Sequence, residues 1–155
     1  MTVFNRFTKD ARGTVTHAIE VARDLGAPTV EAEHLLLAIT RHESAVARAL
    51  HAHGLDYDGL ASALVAETER SLAAVGVRAG DVSFSPHVEA PRIARSMKSA
   101  LELSPRVALE RGDRRIESGH VALAVLRAAH GTVPRALAIA GVDREALAAN
   151  VGAAM

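Results

Sequence analysis

At 155 residues, 49% of them apolar, the chain is long enough to bury one proper core, and its 18 basic and 18 acidic residues cancel. That neutral balance argues against a dedicated nucleic-acid binder, whose phosphate affinity rests on a basic face. Cysteine is absent, which excludes disulfides, thiol nucleophiles and cysteine-zinc sites, and tryptophan is absent too, so the core must come from many small contacts between closely packed helices.

The first helix is expected to begin at Thr8, a good N-cap, and to carry Ala11, Val15, Ala18, Ile19, Ala22 and Leu25 on one face, with Gly26 and Pro28 ending it. A second helix is expected over about Thr29 to Arg41, with Glu31 and Glu33 in its first turn, where the dipole favours acids. Its run Leu35-Leu36-Leu37-Ala38-Ile39 is apolar nearly all round, which places it centrally. Ser44 caps a short third helix closed by Gly54. Asp56 caps a fourth, with Leu60 and Leu64 inward, reaching about Leu72.

Val75 to Arg92 holds Gly76, Gly80, Pro86 and Pro91 and reads as a long linker, with an extended stretch over Asp81-Val82-Ser83-Phe84-Ser85. A helix through Met97, Leu101 and Val107 then ends at Gly112. Ser118 is expected to cap the next, through Val121 to Leu126. Thr132 with Pro134 opens another, closed by Gly141, and Asp143 caps the last, through Leu147 and Val151. No stretch alternates long enough to predict a strand.

The two halves repeat each other. Glu33-His34-Leu35-Leu36-Leu37-Ala38-Ile39-Thr40-Arg41 is matched by Gly119-His120-Val121-Ala122-Leu123-Ala124-Val125-Leu126-Arg127, and Gly54-Leu55-Asp56 by Gly141-Val142-Asp143. The histidines lie 86 positions apart (120 − 34) and the glycines 87 (141 − 54), as a tandem duplication with one residue of slippage would give. The expected fold is all-α: two tandem pseudo-twofold four-helix repeats, 4–72 and 93–152, joined by a linker over 73–92.

Eight histidines invite a metal or acid–base reading. His34 and His120 hold equivalent places at the starts of buried helices and read as structural residues bonded to backbone across the repeat. His51 and His53 lie two apart and face different sides of a helix, and His42 with Glu43 is a helix-end cluster. There is no His-Glu-x-x-His motif, no Gly-x-Ser-x-Gly elbow and no Gly-x-x-x-x-Gly-Lys-Ser/Thr phosphate loop. The residues therefore predict no enzyme, no catalytic or metal-ligating residue and no cofactor. The opening Met1 to Arg6 lacks a signal-peptide core and no apolar run spans a bilayer, so a cytoplasmic protein without membrane contact is expected.

The opening Phe4-Asn5-Arg6-Phe7-Thr8-Lys9-Asp10-Ala11-Arg12, the Glu33-His34-Leu35-Leu36-Leu37 run and the Gly-Leu-Asp turn, in this order and spacing, resemble the Clp N-terminal (Clp-N) repeat domain in its ClpC-type form. The resemblance covers nearly the whole chain and implies a stand-alone docking platform without ATPase modules. It would recruit or sequester substrates, adaptors, phosphoarginine degrons or cyclic-peptide antibiotics. A regulator that docks directly on the Clp unfoldase is the alternative. The expected partners are thus Clp protease components, adaptors or substrate peptides, with neither nucleic acid nor membrane.

The resemblance also implies site residues. Thr8 at a helix start would serve a phosphate and Glu33 a guanidinium, although by position alone Glu33 is equally an ordinary first-turn acid. The second repeat departs from this pattern, with Gly119 where Glu33 stands and Ile93 at the place of Phe7, so a single site in the first repeat is expected. Phe4 and, less well spaced, Phe84 would be aromatic contacts for a bound peptide, or else lids packed over their own repeats.

Overall fold

The computed structural model describes residues 3–81 and 90–155, and within them eight α-helices account for nearly all regular structure. A short 3-10 turn, Val3–Arg6, leads into α1, Lys9–Asp24, where the Thr8 hydroxyl accepts the Ala11 N–H at 3.1 Å. Then follow α2 (Ala32–Thr40), α3 (Ala45–Ala52) and α4 (Tyr57–Ala74). Ser44 and Asp56 cap α3 and α4, as their positions predict. The second half supplies α5 (Arg95–Arg111), α6 (Ser118–Leu126), α7 (Thr132–Ile139) and α8 (Arg144–Ala153), with Asp143 capping α8.

Three local expectations need correction. Thr29 does not start α2: Thr29–Val30 is a two-residue strand, β1, paired in parallel with β2, Arg92–Ile93. The Pro28 and Val30 carbonyls accept the Arg92 and Ala94 N–H groups, a ladder too short to leave an alternating pattern in the sequence. The true N-cap of α2 is Glu31, and that of α6 is Glu117 instead of Ser118. His34 and His120 are likewise not bonded across the repeat. Each sits at the third helical position, and its ring Nδ1 accepts the N-cap backbone N–H, from Glu31 at 2.8 Å and Glu117 at 2.9 Å. A histidine thereby does the work that Glu or Gln does in an ordinary capping box. Ser118, freed from capping, donates its hydroxyl to Asp10 at 2.6 Å.

The helix ends of the two halves follow the register that the histidines set. Gly26 and Gly112, 86 apart, end α1 and α5 with φ of 68° and 78°, a left-handed conformation that costs glycine little. The slippage falls between α6 and α7, where Arg127 to Gly131 spans one residue more than Arg41 to Ser44.

The repeats also interlock. The lead-in to α1 pairs with the lead-in to α6 through Phe7 and Ile116, while β1 before α2 pairs with β2 before α5. Adding 86 to Phe7 and Val30 gives Ile93 and Ile116, so the two pairings are twofold copies of each other. In the same sense α4 packs on α7, α3 on α8, and the central helices α2 and α6 on one another. Leu35, Leu36 and Leu37 from α2 and Val121 and Leu126 from α6 are fully buried, as are Phe7, Met97 and Ile116 around them.

Candidate functional site

The first turn of α2 opens onto a cavity of about 580 Å³ whose other walls are the start of α5, the end of α6 and the start of α7. Glu31 closes one edge. Its carboxylate accepts hydroxyl protons from Thr29 and Ser96, and Ser96 in turn accepts the Ala32 N–H at 2.9 Å, so Glu31 ties α2 to α5. Glu33, two residues on, also lines the cavity and is partly buried. Burial pushes its carboxyl up to about 7; its own backbone N–H opposes this, and repulsion from Glu31 and Glu67 adds to it.

Across the cavity, Arg135 of α7 donates to Glu67 of α4 at 2.8 Å, and Ser71 donates to the same carboxylate. Burial alone would raise Glu67, but these two donors hold it below the usual carboxylate range. Arg127 is paired with Glu110. Ala100, Leu103, Ala124 and Val133 supply the apolar part of the lining. The N-caps of α5 and α7 are Ala94, whose methyl cannot accept a hydrogen bond, and Gly131, which has no side chain, so both helices present first-turn N–H groups without a side-chain cap on this side. The arrangement offers a cation partner in Glu33, anion-favouring helix starts and a greasy wall within one concavity.

The expected site residues do not all meet here. Glu33 lines the cavity. Thr8 caps α1 at another place, where its backbone N–H donates to the Ile116 carbonyl beside the start of α6, so Thr8 neighbours Gly119 and not Glu33. Phe4 lies in the first 3-10 turn, 47% exposed, with its ring stacked 5.1 Å from that of the buried Phe7. Phe84 lies outside the described residues.

The sequence reading missed Arg95, Ser96, Leu103, Arg127, His130 and Arg135 as cavity residues. One signal was available: the one-residue slip at 128–131 falls in the cavity wall. The crosswise packing that brings α5 and α7 to α2 leaves no mark in the linear pattern.

A family model for the Clp repeat (R) N-terminal domain matches residues 6–90. The N-terminal domain of the caseinolytic protease associated chaperone ClpD from Arabidopsis thaliana has a similar structure, with a TM-score of 0.69 at 18% identity over 98% of this chain and 96% of that one. The Hsp104 N-terminal domain from Candida albicans matches with a TM-score of 0.65 at 14% identity, covering 94% of this chain and 88% of that one. The all-α interlocked fold is shared with both. The repeated helices, the shared fold and the family match over more than half the length agree: the chain belongs to the Clp repeat N-terminal domain family, whose members are interaction modules of Clp/Hsp100 systems.

Proposed function

We propose that the cavity at the start of α2 is a docking site through which the chain captures peptide segments of substrates or adaptors of the Clp system, recruiting or sequestering them. The observation that carries this reading is the pairing, in one concavity, of the partly buried Glu33 with the uncapped starts of α5 and α7. Such a site suits a side chain that is a cation at one end and an anion at the other. Phosphoarginine is of that kind: its guanidinium would face Glu33 and its phosphate the N–H groups at the start of α5. In this reading Thr8 serves the other helix end, and Phe4 is an aromatic anchor for flanking apolar residues or for a cyclic peptide.

Calorimetric titration with free phosphoarginine and with a phosphoarginine peptide tests it. One site per chain is expected. Glu33→Gln should weaken binding by about 1.5–3 kcal/mol, as expected on loss of a charge-assisted hydrogen bond. The guanidinium needs the ionised carboxylate, and Glu33 holds its proton up to about pH 7, so affinity should fall as pH drops below that point. Indifference to Glu33 or to pH would refute the assignment.

A further inference from the structure

The twofold that relates the repeats implies a second site at the start of α6, where the exchange of Glu33 for Gly119 seen in the sequence has a structural counterpart that the repeat pattern does not foretell. Gly119 holds the second helical position of α6, as Glu33 does in α2. A methyl group placed on Gly119 would lie 2.7 Å from Sδ of Met155 and 2.8 Å from its Cγ and Cε. Met155 is partly buried and packs against the core, following an α8 end that Arg111 fixes by donating to the Gly152 carbonyl at 3.0 Å. The volume that Glu33 fills with a carboxylate in the first repeat is therefore filled by a thioether in the second. At the positions that correspond to Leu103 and Ala128 of the open cavity stand His17 and His42, whose rings are tilted by 37° and share a hydrogen bond of 2.8 Å.

We propose that Met155 holds shut a second pocket, the twofold copy of the Glu33 cavity, and so makes the chain a one-site binder. The glycine at 119 and the methionine at 155 act as one unit: the first vacates the space and the second occupies it. As to its ligand, the proposal rests on the function proposed above, and the latent pocket takes the same class of ligand once a carboxylate is restored and the thioether removed. Methionine is flexible enough to leave when a side chain is added at 119.

The plug is tested without ligand, by NMR of protein labelled at the methionine methyl groups with a soluble paramagnetic agent added. In the wild-type protein the Met155 methyl should show contact with Gly119 and strong protection from the agent. Gly119→Ala should raise its relaxation enhancement several-fold, with the buried Met97 methyl as an unchanged internal control showing that the fold persists. A wild-type Met155 methyl as accessible as free methionine, or one that Gly119→Ala does not displace, overturns the plug. Phosphoarginine is then titrated into wild type and Gly119→Glu/Met155→Ala, with Met155→Ala as a control for folding. Two sites in the double variant against one in wild type support a latent twin. A double variant that binds no more than wild type overturns it, whereas absence of binding to wild type is the separate failure of the proposed function.

Discussion

Neighbouring residues at the start of α2 place opposite demands on pH. The Glu33 carboxyl ionises at about 7 in the folded chain against 4.5 when free, so the unfolded chain loses its proton first. Stability from this group is complete below about pH 4.5 and is lost as pH rises through 7. His34 works the other way: burial, only partly countered by Glu31, lowers its pKa below 6.5, so its contribution is lost as pH falls beneath that value. Glu33→Gln should therefore abolish the loss on the alkaline side and stabilise the protein by about 1–3 kcal/mol above pH 7, while the acid-side slope from His34 persists. Urea denaturation of both proteins across this range measures the difference, and parallel pH profiles would refute it. At the second helix start, the Glu117 N–H donates to Nδ1 of His120, which leaves the ring proton on Nε2, facing Asp113 at 2.9 Å. His120→Leu keeps the apolar packing but orphans that N–H, and should cost about 1–3 kcal/mol in the same assay.

At the scale of elements, four of the eight helix starts were legible because their caps are chemical: Thr8, Ser44, Asp56 and Asp143 all cap with their side chains, as read. The starts of α2 and α6 were not legible, because a histidine at the third position replaces the usual acid and moves the cap to a glutamate. Pro105 lies inside α5 without ending it. It has no N–H to give the Leu101 carbonyl, so Pro105→Ala should raise stability by about 1–3 kcal/mol, below the full cost of an interior proline because the native helix has already adjusted to it. Thermal unfolding reads this directly, and an unchanged or lower midpoint would count against it. The link between α4 and α7 depends on Arg135 and the 4% exposed Glu67. Arg135→Ala leaves Ser71 as the remaining donor to a buried carboxylate, and a loss of about 1–3 kcal/mol at neutral pH is expected, smaller at acid pH where Glu67 is protonated.

For the whole molecule, the duplication gave the fold class at once, because an 86-residue offset between His34 and His120 leaves two copies of one helical plan. It did not give the interlock. The pairing of Phe7 with Ile116, and of β1 with β2, joins segments far apart in sequence and rests on backbone hydrogen bonds that no side-chain pattern encodes. That interlock assembles the cavity: Glu33 comes from one repeat, Arg95 and Arg135 from the other, and Thr8 is carried to the opposite pseudo-symmetric position. Sequence proximity within a repeat thus suggested a Thr8–Glu33 pair that the fold separates. The claim that docking occurs at this shared cavity is tested most directly by amide chemical-shift mapping during titration with a phosphoarginine peptide. Shifts should cluster at Glu33 and His34, at Arg95 and Ser96, and at Thr132 and Val133, and Glu33→Gln should remove them. Saturable shifts confined to Phe4, Thr8 and the start of α6, with the Glu33 cavity silent, would contradict it.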